Sequence, residues 1–367
     1  MNKGEFVMSK KFRRIGVLTS GGDAPGMNAA LRAVTRAALD KGVEVMGIYE
    51  GYKGLVYPQL KRFTARDVSN IISRGGTVLY SNRCLEFKEE EGLKKSIQTC
   101  HDNGIDGIVA IGGDGTFRGA TDLSIRGIPT IGIPGTIDND ITSTEYSIGF
   151  DTAVNTAVEM IDRLRDTCES HARCNVVEIM GRNAGWVALE AGIATGASAI
   201  VINEVEFDED RVIAQIMEAK KNNKRNFIVC IAEGVPATVG DKLYSEKFAA
   251  RFQEKTGIET KFVRLAHVLR GGDPTMRDRT IATQMGSEAV RLLLEGKSDL
   301  VVGMRDGKII STEIGYALKL DRMYKGTLKD GDLDCFSEEQ VNEMKAYCAK
   351  RNEDMRKLYE MAYEMAH

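Results

Sequence analysis

Four short segments of this 367-residue chain combine glycine with carboxylate and hydroxyl residues in patterns suited to phosphate chemistry. Thr19-Ser-Gly-Gly-Asp-Ala-Pro-Gly26 follows an apolar run and opens a helical pattern, with Pro25 suited to the first turn. Its glycines let backbone N–H groups approach an anion, and a helix N-terminus adds favourable partial charge. It is neither GxGxxG nor a Walker sequence, and a plain tight turn reads equally well. In Gly112-Gly-Asp-Gly-Thr116 the carboxylate of Asp114 sits between glycines, where it can hold Mg2+ beside a phosphate chain; an Asx turn uses the same residues. Pro134-Gly-Thr-Ile-Asp-Asn-Asp140 is the most informative. If it is extended, Thr136, Asp138 and Asp140 project to one side. Two neighbouring carboxylates push their proton affinities apart, so one can act as a base while the other attends a cation. Phosphoryl transfer to an alcohol asks for that set. The fourth segment is Gly271-Gly-Asp-Pro274.

Such loops need strands that end in them. Short β-branched apolar runs recur at 15–19, 43–48, 107–111, 128–133, 175–180, 199–202, 227–232 and 300–303. Near-continuous hydrophobicity predicts strands buried on both faces. Amphipathic stretches lie between them; in 27–39, Met27, Leu31, Val34 and Ala38 share a face. The pattern is α/β with mostly parallel sheets, whose ligands bind at the carboxyl ends of strands. Ser337-Glu-Glu-Gln340 has capping-box spacing ahead of a long helical pattern, read as a packing or subunit-contact helix.

Composition narrows the class. The chain is 43% hydrophobic with a net charge of -3, which argues against a dedicated nucleic-acid binder. The seven cysteines form no CxxC pair and the four histidines are scattered, so a structural zinc site is not expected. The basic N-terminus, MNKGEFVMSKKFRRIG, lacks the apolar run of a signal peptide, and no stretch is apolar for long enough to span a membrane. A soluble, cytoplasmic protein is the expectation.

TSGGDAPGMNAA, GIYEGY, IISRGGT, IGGDGT, PGTIDND, IGFDTA, IDRLRDT, MGRNAG, AEG and HVLRGGDP occur in one order. Over roughly residues 13–320 the chain resembles the bacterial 6-phosphofructokinases, which transfer phosphate from Mg-ATP to fructose 6-phosphate in glycolysis. The resemblance implies two doubly wound α/β domains with the active site in the cleft between them. The expected limits are 13–150 with returning segments near 265–315, then 151–264, then a helical extension over 321–367. It implies Asp138 as the base, Asp114 as the Mg2+ ligand with Asp140 nearby, and Arg182 and Arg83 as cations on the transferring phosphate. Nucleotide-lining positions match Gly22, Tyr52, Arg83, Cys84, Gly113, Gly115, Thr116 and Gly119. Sugar-phosphate positions match Thr136, Met180, Gly181, Arg182, Glu233, His267 and Arg270. In the homotetramer the resemblance implies, Arg173 and Lys261 reach into a neighbouring subunit's site.

A pyrophosphate-using branch of that family carries an acidic residue in place of Gly115 and a lysine in place of Gly135, so ATP is the expected donor. A silent sugar-phosphate-binding paralogue would have lost Asp138, Asp114 or Arg182, and all three are present. The NAD and diacylglycerol kinases share GGDG but have no reason for PGTIDND. Three departures stand out. Lys261 replaces an arginine, with Arg264 close enough in sequence to offer a substitute guanidinium. Arg32, Arg36, Arg165 and Lys224 match an effector site, yet Ser198 stands where a glutamate helps bind Mg-nucleotide, so a blunted response to ADP is expected. Trp186 and the segment beyond residue 320 are unusual, and nothing in the sequence connects either to the chemistry.

Overall fold

Strands that are apolar throughout must be covered on both faces, and the chain folds accordingly. In a computed structural model, which describes residues 12–366, the strands are β1 (Arg14–Ser20), β2 (Glu44–Ile48), β3 (Leu60–Phe63), β4 (Gly107–Gly112), β5 (Thr130–Pro134), β6 (Cys174–Ile179), β7 (Ala199–Val201), β8 (Phe227–Ala232), β9 (Thr260–Arg264), β10 (Leu300–Arg305) and β11 (Lys308–Glu313). Residues 1–11 of the basic N-terminal stretch lie outside the described residues. No helix among the described residues is long and apolar enough to cross a membrane.

The chain divides into two units. The first runs through Thr136 and takes in Ser143–Gly149 and Asp273–Asp321. Its sheet has the order β11-β10-β5-β4-β1-β2-β3, and only the two edge strands run antiparallel to their neighbours. Ser20 pairs with Gly112 and Gly112 with Pro134, so β1, β4 and β5 end at one level. Three of the glycine-rich loops therefore leave the sheet side by side.

The helix Met27–Asp40 buries Met27, Leu31, Val34 and Ala38, as their spacing predicts. Its N-cap is Gly26 at φ 106°, where a Cβ would lie 2.6 Å from Ile148 Cγ2. Pro25 thus precedes the cap instead of occupying the first turn. Behind this loop, the fully buried Asp278 accepts the Tyr146 hydroxyl at 2.6 Å and the Gly149 N–H at 2.7 Å, tying the chain that returns after the 137–142 turn to the helix Met276–Leu294.

The second unit comprises Ile137–Thr142, Phe150–Gly272 and the chain from Arg322 onward. Its sheet, β7-β8-β6-β9, is parallel throughout. Residues 265–272, expected with the returning segments, stay here because the 3-10 turn Ala266–Arg270 follows directly from β9. That turn also separates Gly271-Gly-Asp-Pro274 from any strand end. The tail belongs to this unit. Its helix, Glu338–Met365, starts with the predicted capping box, in which Ser337 Oγ accepts the Gln340 N–H and the Gln340 side chain accepts the Ser337 N–H.

Replacing Asp278 with alanine would leave the Tyr146 hydroxyl and the Gly149 N–H buried without their acceptor. A loss of roughly 2–4 kcal/mol is expected in urea unfolding. A loss below about 1 kcal/mol would show that these donors find other partners.

Candidate active site

In the first unit, β4 passes directly into the helix Asp114–Ser124, so Asp114 is its first residue and complements the helix dipole. Gly113 is the N-cap. A Cβ at Gly113 or Gly115 would meet nothing within 4 Å, which leaves open space over the backbone there. Thr116 is buried; its hydroxyl donates to Ser20 O at 3.1 Å and its carbonyl accepts the Tyr52 hydroxyl at 2.5 Å. Tyr52 stacks on Phe87 with centroids 4.2 Å apart, and its ring covers Gly119 so closely that a Cβ there would lie 2.6 Å from it. Gly119 is thus a packing position and Tyr52 a brace for the helix.

The loop carrying Arg83 and Cys84 is laid against the exposed Gly21-Gly22 turn. Thr19 Oγ1 donates to Tyr80 O at 2.9 Å, and Ser81 Oγ donates to Gly21 O at 2.5 Å. Arg83 is exposed, and Cys84 is a half-buried free thiol. Asp114 pairs with Arg118 one turn along its helix. Among the described residues no cluster of three or more His, Cys, Asp or Glu could cage a metal. Magnesium held by one carboxylate and by its ligand's own phosphates needs no cage, and Asp114 beside open backbone fits that mode.

The Asp138 constellation lies in the second unit and departs from the extended segment the sequence predicts. Residues 137 and 138 form a turn, and Asn139 takes the left-handed conformation at φ 50°. Strand alternation therefore does not gather the carboxylates. The turn does so instead, because Arg182 Nε lies 3.9 Å from Asp138 Oδ2 and Arg182 Nη1 lies 3.9 Å from Asp140 Oδ2. Arg182 is itself left-handed at φ 54°, and its N–H donates to Glu233 Oε1 at 2.6 Å. Gly181 permits this turn, since a Cβ there would sit 2.6 Å from Ala184 O.

Met180, Gly181 and Arg182 follow β6, Glu233 follows β8, and His267 and Arg270 follow β9. All lie at the carboxyl ends of parallel strands, where α/β ligand sites belong. Asp138 is 2% exposed. Burial, and then the neighbouring Asp140 charge, push its carboxyl up from 3.8 to about 6, against the pull of Arg182 and Arg270.

Arg173 and Lys261 do not join this group. They stand near the amino ends of β6 and β9, the opposite end of the sheet, where both pair with Glu259 at 2.7 and 2.9 Å. Arg264, at the far end of β9 from Lys261, is held by Glu178 at 2.5 Å and cannot replace it. Thr136 closes the first unit, its carbonyl accepting the Ser147 hydroxyl at 2.7 Å.

Of the effector positions, Arg32 and Arg36 lie one turn apart on the helix Met27–Asp40. Arg165 donates to Asn226 Oδ1 at 2.9 Å and to Thr195 O. Lys224 donates to Ala366 O at 3.3 Å, and burial holds its pKa below the usual lysine range, with the Arg165 charge adding to the effect. Ser198 is buried in a pocket lined by Tyr359, Tyr363 and Ala366 from the tail.

Two further cations reach the 138–140 turn without any warning in the sequence. Lys325 Nζ lies 3.3 Å from Asp140 Oδ2, and Arg351 donates to Asn139 O at 3.1 Å. The Arg351 guanidinium also lies 5.2 Å from the Trp186 ring, so the tail and Trp186, which nothing in the sequence connects, meet beside this turn.

The raised pKa of Asp138 has a direct consequence for stability. The folded chain keeps this proton over a range where the unfolded chain has lost it. The group therefore favours the fold below about pH 4, and that contribution disappears as the pH rises through about 6. Asp138→Asn is expected to stabilise the protein by roughly 2–3 kcal/mol at pH 7.5 and to change little at pH 4. Equal unfolding midpoints at pH 7.5 would contradict the assignment.

A family model described as Phosphofructokinase matches residues 14–293. The chain is 50% identical over 316 residues to the ATP-dependent 6-phosphofructokinase 1 of Clostridium perfringens, a match covering 86% of this chain and 97% of that relative. Its structure resembles that of phosphofructokinase from Saccharomyces cerevisiae, with a TM-score of 0.81 and 32% identity; 91% of this chain is covered, but only 50% of the yeast chain. A pyrophosphate-dependent phosphofructokinase from Marinobacter aquaeolei shares the fold at a TM-score of 0.71 and 21% identity, with 83% of each chain covered. Taken together with the ordered loops and the Asp138 constellation, these matches establish that the chain belongs to the phosphofructokinase family.

Proposed function

We propose that this chain is an ATP-dependent 6-phosphofructokinase, transferring the γ-phosphoryl group of Mg-ATP to the 1-hydroxyl of fructose 6-phosphate to give fructose 1,6-bisphosphate and ADP. The observation that carries this reading is the buried Asp138, more basic than an ordinary carboxylate and faced by Arg182. A base acts best when its pKa lies near the working pH, and a carboxyl near 6 is ionised at neutrality yet still accepts a proton. Asp138 takes the hydroxyl proton as the sugar oxygen bonds to phosphorus and the bond to the ADP oxygen breaks. Arg182 faces the turn's two carboxylates and offers positive charge to the moving group. Asp114 would hold magnesium, which would supply neutralising charge to the phosphates when bound. Glu233, His267, Arg270, Met180 and Gly181 serve the sugar phosphate.

The donor reading rests on two glycines. Open space at Gly115 is where an acidic side chain would oppose the nucleotide. A side chain at Gly135 would press on Met27 Cε at 3.1 Å and Ile111 Cγ2 at 3.3 Å, which disfavours the lysine of pyrophosphate users. The placement of Arg173 and Lys261 supports a homotetramer with shared sites. A six-residue strand spans about 20 Å, so these cations at its amino end are better placed to serve a neighbour's site than their own. A glycolytic role in the cytoplasm follows from this activity.

Initial rates with fructose 6-phosphate and Mg2+ are expected to be fast with ATP and negligible with pyrophosphate, while Asp138→Ser lowers turnover by about 10²–10⁴ without loss of fold. Activity with pyrophosphate alone would overturn the donor argument, and near-normal turnover of the variant would place the base elsewhere. ADP is expected to leave the shape of the fructose 6-phosphate curve nearly unchanged, because Lys224 and Arg165 hold internal carbonyls and Ser198 is covered. Strong conversion to a hyperbolic curve would contradict this.

A further inference from the structure

The segment from Arg322 onward lies beyond the family match, which ends at residue 293. It nevertheless reaches the middle of the 138–140 turn. Arg351, only 8% exposed, projects from the helix Glu338–Met365 and donates to Asn139 O across 212 positions of sequence. Its guanidinium lies between the rings of Trp186 at 5.2 Å and Tyr324 at 5.7 Å. These rings, with Asp140 and Glu204, line a cavity of about 370 Å³ beside the turn. Glu204, whose pKa burial raises and the Arg351 charge lowers, accepts the Gly185 N–H at 2.8 Å, at the start of the helix that carries Trp186. Lys325, from the same tail, approaches Asp140 at 3.3 Å.

Asn139 is the residue whose backbone sets the directions of both carboxylates, and it is left-handed at φ 50°. Asparagine enters that region more readily than other non-glycine residues, yet the conformation still has to be selected over the ordinary ones by its surroundings. A hydrogen bond to its own carbonyl supplies that selection. Arginine suits the task because a planar, permanently charged fork can stack on an indole while donating to a carbonyl; a lysine offers a point charge without the plane.

We propose that Arg351 is a positioning residue for the phosphoryl transfer, fixing the turn that presents Asp138 and Asp140 by holding the carbonyl of Asn139. The proposal rests on the reading of Asp138 as the base. It predicts that turnover, and not substrate binding, depends on a side chain outside the family's matched region.

Steady-state kinetics of full-length Arg351→Met, Arg351→Lys and Asp138→Asn, with unfolding midpoints measured in parallel, test it. In Arg351→Met, kcat should fall on the order of 10- to 100-fold, the scale of a misplaced catalytic group, with KM for ATP and for fructose 6-phosphate within about twofold of the parent. Arg351→Lys, which keeps a donor, should recover part of that kcat. A folded Arg351→Met or Arg351→Lys with the parent's kcat, or one that changes KM alone, would overturn the proposal. If the methionine variant does not fold, the lysine variant decides alone. Should Asp138→Asn keep its turnover, the reading of the turn itself fails. Should Asp138→Asn lose turnover while Arg351→Met retains it, only the positioning role fails.

Discussion

The organising constraint of the second unit is a charge problem. Two carboxylates, on Asp138 and Asp140, stand on one short turn and share the Arg182 guanidinium, 3.9 Å from each. Withdrawing Asp138 from water makes its ionised form costly, and Asp140 adds repulsion. Arg182 and Arg270 offset part of this without cancelling it. The balance leaves a carboxyl that is basic without being permanently protonated. The left-handed backbone of Arg182, the glycine before it and the Glu233 carboxylate that receives its N–H all serve to keep the Arg182 guanidinium in place.

Parallel sheets solve the positioning. In the first unit the equal ends of β1, β4 and β5 deliver three glycine-rich loops to one edge. In the second, the carboxyl ends of β6, β8 and β9 deliver Arg182, Glu233, His267 and Arg270. The opposite end of the second sheet carries Arg173 and Lys261 around a shared Glu259. One layer of strands thus separates the cations that face the 138–140 turn from those that cannot reach it. The division also explains why a lysine at 261 is tolerated by the fold: its partner is an exposed carboxylate at a sheet edge, where a point charge suffices.

The tail of the chain packs within the second unit along its length. Its last turn meets Lys224 and covers Ser198, and its middle meets Asn139 through Arg351. Lys224, Arg165 and Arg351 all donate to the protein's own carbonyls. A helix capped in isolation by Ser337 and Gln340 therefore becomes part of the surroundings of the turn.

Much of this was legible in the residues. The buried strands could be read because parallel strands must be apolar on both faces, and the motif order identified the family. The edge strands β3, β9 and β11 were not foreseen, since LKRF, TKFVR and KIISTE alternate charge with partial burial and leave no continuous apolar run. The pair of carboxylates and the helix cap were visible as residue types at fixed spacing, while the choice of Asp138 as the base and of Arg182 as its cation came from the family resemblance. The left-handed Asn139, the pairing of Arg264 with Glu178, and the arrival of Lys325 and Arg351 at the turn were not visible. Local sequence determines which groups can do chemistry and which segments become strands or helices, because propensity and periodicity act over a few residues. Only the tertiary structure decided which of those groups meet, because a contact across 212 positions is set by how whole elements pack and leaves no mark in the spacing.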